Sequence, residues 1–242
     1  VEALGAGLTC FKLGDRIFGF NDNGLCSHAE YLTIAADQPI TTVPEGISYE
    51  QAAASAEAAH YAYNFINKVN IKTGDNVMLN GGTGAIGSAA LQMLKAMDVT
   101  VTATCRTQHV DLVKEMGADR VIDYLQEDFT QDDAQYDFVF DAVGKSTYGK
   151  CKRLLKPGGV YLSSELGPGA QNLFLALVSQ HVKFPVPTDI KRSLSAVKDL
   201  LAHGKFKPLM DRTYPLEEIR EAFTYVDSGE KVGNVVLSMT DS

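Results

Sequence analysis

Gly82, Gly84 and Gly87 stand in Gly-X-Gly-X-X-Gly spacing directly behind the apolar run Val77-Met78-Leu79-Asn80. An apolar-periodic stretch through Leu91, Leu94 and Met97 follows, and then the β-branched run Val99-Thr100-Val101-Thr102-Ala103. The order predicts strand, glycine turn, helix, strand. In that setting glycine lets the backbone turn sharply, approach a pyrophosphate closely and pack the helix on the strand. The helix start would aim unpaired N–H groups and its positive dipole end at the diphosphate. A purely structural glycine turn is the alternative, and the strand–turn–helix setting argues for a dinucleotide.

The end of the second strand bears on which dinucleotide. An NAD-specific unit places a carboxylate there, about 20 residues past the glycines, on the ribose 2′-hydroxyl. This chain instead reads Thr104-Cys105-Arg106-Thr107-Gln108-His109. A solvated surface arginine is the plain reading of Arg106. Its guanidinium fork, standing where the acid is missing, suits a 2′-phosphate and favours NADPH over NADH.

Composition narrows the classes. The 242 residues are 45% hydrophobic and 21% charged, ordinary for a globular protein with one large or two small domains. A net charge of −8 argues against nonspecific nucleic-acid or anionic-membrane binding. No apolar run approaches the roughly 18 residues of a transmembrane helix. Cys10, Cys26, Cys105 and Cys151 lie far apart without a Cys-X-X-Cys pair, so they read as reduced thiols, and no metal-ligand spacing appears among the histidines. The thiols point to the cytoplasm. Val1 opens in mid-pattern, which suggests a missing front and leaves organellar targeting open.

The elements that must hold these residues follow along the chain. Ile17–Phe20 and Ala29–Ile34 are expected as strands, and Ser48 with Gln51 forms a capping box ahead of an Ala-rich helix. A helix is expected over Val110–Met116, strands over Arg120–Ile122 and Asp137–Phe140, and a helix over Thr147–Leu155. Strands at Val160–Ser163 and His181–Phe184 complete six apolar strands with intervening helices, the pattern of a doubly wound parallel sheet. Ser193–Ala202 is amphipathic, a helix runs through Val226, and Val232–Ser238 reads as a last strand.

With these segments placed, the chain resembles the medium-chain dehydrogenase/reductase superfamily, and within it the zinc-independent, ζ-crystallin-like quinone oxidoreductases. The resemblance rests on Lys12-Leu13-Gly14-Asp15-Arg16-Ile17-Phe18-Gly19, Ala29-Glu30-Tyr31, the glycine loop, and Gly117-Ala118-Asp119 with Val121-Ile122-Asp123-Tyr124. Phe140-Asp141-Ala142-Val143-Gly144, Leu155-Lys156-Pro157-Gly158-Gly159, Tyr214-Pro215-Leu216-Glu217-Glu218 and Gly233-Asn234-Val235-Val236 extend it over essentially the whole chain. It implies an α/β fold: a partial GroES-like β domain over 1–47, a Rossmann domain over 48–207, and a return to the β domain over 208–242.

The resemblance also implies site residues. Thr83, Gly84, Ala85, Ile86 and Gly87 would hold the diphosphate, and Arg106, His109 and Tyr124 the 2′-phosphate. Relatives often carry Ser and then Arg two residues later where this chain has Arg106 and Gln108; a solvated His109 is the alternative for that residue. Val143-Gly144 and Leu166-Gly167 would border the nicotinamide. Tyr61 replaces a family threonine there, with core packing as its alternative role, and Phe184, Pro185 and Val186 would line the substrate cleft. The zinc lobe of related alcohol dehydrogenases has no counterpart in Phe20–His28, and Glu57 stands where their catalytic cysteine does. The expectation is therefore zinc-free hydride transfer from NADPH to a small electrophilic quinone or α,β-unsaturated carbonyl, with no assigned catalytic acid and a homodimer left open. A zinc alcohol dehydrogenase and a non-enzymatic, crystallin-type NADPH-binding protein are the competing readings.

Overall fold

Ser48 and Gln51 open a helix as their spacing predicts. The Ser48 amide donates to Gln51 Oε1 (3.0 Å) and the Gln51 amide donates to Ser48 Oγ (3.2 Å), satisfying two end-of-helix donors reciprocally. This helix, α1, spans Tyr49–Asn67 in the computed structural model, which describes residues 1–20, 27–186 and 188–239. Before it, β1 (Ile17–Gly19) pairs antiparallel with β2 (Ile40–Thr42). The chain divides into two units, Val1–His60 with Asp189–Ser242, and Tyr61–Thr188. The boundaries fall inside α1 and just after Thr188.

The unit Tyr61–Thr188 alternates strand and helix: β3 (Asn76–Asn80), α2 (Ala85–Lys95), β4 (Thr100–Cys105), α3 (Val110–Glu115) and β5 (Arg120–Asp123). Then come β6 (Tyr136–Asp141), α4 (Tyr148–Cys151), β7 (Leu155–Ser163), α5 (Gln171–Val178) and β8 (Val182–Lys183). The strands form one parallel sheet in the order β5-β4-β3-β6-β7-β8. Val77, Met78 and Leu79 of β3 are wholly buried, the mark of a central parallel strand covered on both faces. One core cluster joins Met78, Val139, Tyr161 and Val182 of the sheet to Cys151 and Leu154. Strand order reverses at β3, which has β4 on one side and β6 on the other. Ligands of such sheets bind outside the carboxyl ends of the strands at that switch point.

In the other unit, α6 (Ile190–Ala202) begins where the Asp189 carboxylate accepts the Arg192 amide (3.2 Å), and it buries Leu194, Val197 and Leu201 along one face. β9 (Met210–Pro215), α7 (Ile219–Asp227) and β10 (Asn234–Ser238) complete the unit, β10 pairing parallel with β9. The expected strand at Ala29–Ile34 is not one: Tyr31 and Leu32 are exposed, and no strand pairs with this stretch among the described residues. Strand-like composition without a partner does not make a strand. Conversely, β2, β9 and α5 form without having been read from the sequence. β9 is masked by its polar Asp211-Arg212-Thr213, and α5 by an apolar run without helical period after Gly167-Pro168-Gly169.

Candidate cofactor site

Asn80, the last residue of β3, starts a turn that only glycine can complete. Gly81 has φ +97°, and a Cβ there would lie 2.5 Å from Val143 Cγ1. A Cβ on Gly87 would lie 2.0 Å from the Gly81 carbonyl oxygen, so helix α2 can approach the turn only at a glycine. Gly84 differs. It is the N-cap of α2 with φ −69°, and a Cβ there would meet nothing nearer than Gly81 O at 3.5 Å. Its space lies open on the outer side of the turn. No side chain caps α2, so its first-turn amides, including those of Ala85 and Ile86, point outward as donors for an anion. Thr83, Gly84, Ala85 and Ile86 are half-buried at this mouth, and Gly87 is buried beneath it.

A buried polar chain holds the turn in place. The Asn80 Nδ2 donates to Asp141 Oδ1 (2.9 Å), and the Thr104 hydroxyl donates to Asn80 Oδ1 (2.8 Å). Thr104 Oγ1 in turn accepts the Gly81 amide (2.9 Å), and Thr104 O accepts the Gly82 amide (2.9 Å). The three side chains sit at the carboxyl ends of β3, β4 and β6. Asp141 is fully buried, and its carboxylate also accepts from the amides of Gly144 (3.0 Å) and Ser146 (2.9 Å) and from the Tyr161 hydroxyl (3.1 Å). Burial and the adjacent Asp141 charge push the Tyr161 hydroxyl far above its ordinary pKa, so it stays a donor. Burial likewise lifts the Cys151 thiol, 3.1 Å from Ser146 Oγ, to about 11, an inert thiol. Asp141 thus ties the glycine turn to the loop Val143–Ser146.

The same end of the sheet gathers the other expected residues. Gly144, at φ +65°, packs on Glu165, whose Cγ would stand 2.0 Å from a Cβ on Gly144. The loop after β6 therefore abuts the loop after β7, where Leu166 is exposed and Gly167 has φ +72°. At the ends of β4 and β5, Arg106 Nε donates to the Tyr124 hydroxyl (2.9 Å), bringing together two of the three residues expected at a 2′-phosphate. The Arg106 Nη groups make no hydrogen bond among the described residues, and both side chains are exposed. His109 stands at the start of α3, its amide donating to Arg106 O (2.9 Å) and its Nε2 3.1 Å from Gln108 Nε2. A shallow depression of about 370 Å³, lined by 124–129, begins at Tyr124. Tyr61 is half-buried in α1, and Phe184–Val186 follows β8, with Val186 half exposed.

Asn80, Thr104 and Asp141 escaped the sequence reading. Their signal was present: each is a polar residue closing an apolar strand, and the register sets Asn80 beside Asp141. The glycines, uncapped α2 and Arg106 fit a phosphorylated dinucleotide. Among the described residues no group of three or more His, Cys, Asp or Glu side chains converges. Cys26 lies outside those residues.

Comparison with known proteins identifies the family. Residues 116–237 match the family described as zinc-binding dehydrogenase. The chain is 29% identical over 250 positions to a 2-methylene-furan-3-one reductase of Solanum lycopersicum, covering 98% of this chain and 61% of that protein. It is 28% identical over 248 positions to a chloroplastic NADPH-dependent alkenal/one oxidoreductase of Arabidopsis thaliana, again covering 98% and 61%. It thus spans about three-fifths of these relatives' length. The solved quinone oxidoreductase of Coxiella burnetii superposes with a TM-score of 0.86 at 25% identity, over 98% of this chain and 76% of that one. The chain belongs to the zinc-binding dehydrogenase family, in the quinone oxidoreductase-like group of the medium-chain dehydrogenases/reductases.

Proposed function

We propose that the protein is an NADPH-dependent oxidoreductase that reduces quinones or α,β-unsaturated carbonyls without zinc. The observation that carries the reading is Arg106: a guanidinium with free Nη groups, steadied by Tyr124, where an NAD enzyme would place a carboxylate. The loop Thr83–Gly87, with the outward amides of Ala85 and Ile86, holds the diphosphate, Arg106, Tyr124 and His109 hold the 2′-phosphate, and Val143-Gly144 and Leu166-Gly167 border the ring. When bound, the nicotinamide supplies the hydride. The protein's part is to orient the two reactants and keep water away, which suffices for acceptors that are already electrophilic. A nearby hydroxyl, or solvent water once the hydride has moved, supplies the proton.

NADPH oxidation measured against a panel of quinones and enals tests this, and tight NADPH binding without turnover on any acceptor would favour the crystallin-type reading. The family's name favours a zinc alcohol dehydrogenase as the second reading, and one zinc per chain by elemental analysis would establish it. Among the described residues no helix is long and apolar enough to cross a membrane, and the buried thiols Cys105 and Cys151 suit the cytoplasm. Leu173, Phe174, Leu177 and Val178 of α5 are exposed next to the open edge at β8, a surface suited to a homodimer. A one-chain mass by light scattering would refute that assembly.

A further inference from the structure

Asn172, the second residue of α5, is 1% exposed and holds the loop after β7 from below. Its Nδ2 donates to Glu165 O (2.9 Å), and its backbone amide donates to Leu166 O (2.9 Å). A Cβ on Gly167 would come within 2.8 Å of the same Nδ2. One residue therefore governs three consecutive positions. With the Glu165 and Leu166 carbonyls turned inward, the amides of Leu166 and Gly167 are left without acceptors among the described residues. The loop presents donors outward.

This arrangement is not what stability alone favours. The amide orientation is settled, because reversing it would set Oδ1 against the Glu165 carbonyl. In that orientation Oδ1 is buried with no hydrogen-bond partner among the described residues, an unfavourable state for a carbonyl oxygen. The backbone nearby adds to the cost: Gly167, Gly169 and Ala170 all have positive φ, and at Ala170 (φ +57°) the side chain pays for it. A leucine at 172 would fill similar space and remove the unpaired Oδ1, while losing the bond to the Glu165 carbonyl. Strain and an unsatisfied group in one short segment are characteristic of places where geometry serves a ligand.

We infer that Asn172 is a positioning residue for the nicotinamide end of the cofactor. It shapes Glu165-Leu166-Gly167, which Gly144 and Val143 link to the glycine turn, and it takes no part in holding the adenosine end. The inference rests on the cofactor reading above and deepens it.

Binding of NADPH and of 2′,5′-ADP, which carries the adenosine end without the nicotinamide, separates the two roles. Asn172→Leu is expected to weaken NADPH about tenfold, which is about 1.4 kcal/mol, with 2′,5′-ADP affinity unchanged in a variant whose thermal melt shows it folded. Arg106→Ala, measured alongside, weakens both ligands. Equal weakening of both by Asn172→Leu, or of neither, overturns the inference. Should Asn172→Leu fail to fold, Gly167→Ala decides by the same two titrations, since its methyl would press on Asn172 Nδ2 from the other side. Wild-type protein that binds neither ligand instead refutes the cofactor reading, and this inference with it.

Discussion

Replacing Arg106 by alanine removes the guanidinium that follows β4 and leaves the sheet untouched. The side chain is exposed, and its one hydrogen bond among the described residues runs from Nε to Tyr124 (2.9 Å). A surface truncation of this kind changes fold stability by about 0.5 kcal/mol or less. Its effect on cofactor binding is larger. The free Nη groups can grip a phosphate as a fork, and a hydrogen bond to a charged group is worth about 1.5–3 kcal/mol. The dissociation constant for NADPH should therefore rise roughly 10- to 150-fold, while NADH, which has only a 2′-hydroxyl to offer, is nearly unaffected. The site faces solvent, so the low end of that range applies at high salt and the high end at low salt. Tyr124→Phe keeps the charge and removes only the clamp on Nε, and should cost NADPH about 0.5–1.5 kcal/mol. Fluorescence titration with both cofactors, at two salt concentrations and alongside thermal melts, reads all of these quantities. Equal losses for NADPH and NADH, or a wild type that prefers NADH, would refute the reasoning.

Gly84→Val should fold, because its φ is ordinary and its Cβ space is open, yet lose NADPH binding as the side chain fills the place of the diphosphate; wild-type affinity in a normally melting variant would show that the cofactor lies elsewhere. Gly87→Ala should fail to form the turn at all, given the 2.0 Å approach to Gly81 O. Asp141→Asn should destabilise the protein by about 2–3 kcal/mol, because the new amide group leaves a buried N–H donor without an acceptor and weakens charge-assisted bonds; chemical denaturation giving a loss under about 0.5 kcal/mol would mean that the buried chain does not hold the turn. The Asp132 carboxyl, which burial alone would raise, is held below its ordinary pKa by the Tyr136 hydroxyl and the Arg120 guanidinium. Its contribution is present above the unfolded value of about 4 and is lost as pH falls through the lowered folded value. Asp132→Asn should therefore lower the melting temperature at neutral pH and progressively less as pH falls below about 4, and an equal loss at every pH would contradict the assignment.

What could be read in advance divides along physical lines. The sheet was legible because a parallel strand buried on both faces must be a continuous apolar run, and Val77-Met78-Leu79 and Phe138-Val139-Phe140 are such runs. The glycine turn was legible because a backbone constraint admits one residue type, and the 2.0 Å clearance at Gly87 states that constraint as a distance. Even there the roles had to be divided by the structure: Gly81 and Gly87 serve the fold, and Gly84 leaves the outer side clear. Arg106 and Tyr124 lie 18 residues apart, and their pairing depends on β4 and β5 ending side by side. Asn80, Thr104 and Asp141 were harder still, because each by itself is an unremarkable polar residue at a strand end. Only strand order makes them neighbours, and strand order is not written in periodicity. The same holds for Asn172, whose importance lies in which carbonyls it turns inward. Residues that satisfy a local rule announce themselves in a sequence, whereas residues that join two loops do so only once the loops are side by side. Asp141 and Asn172 are of the second kind: each bonds to a loop that follows a different strand of the sheet.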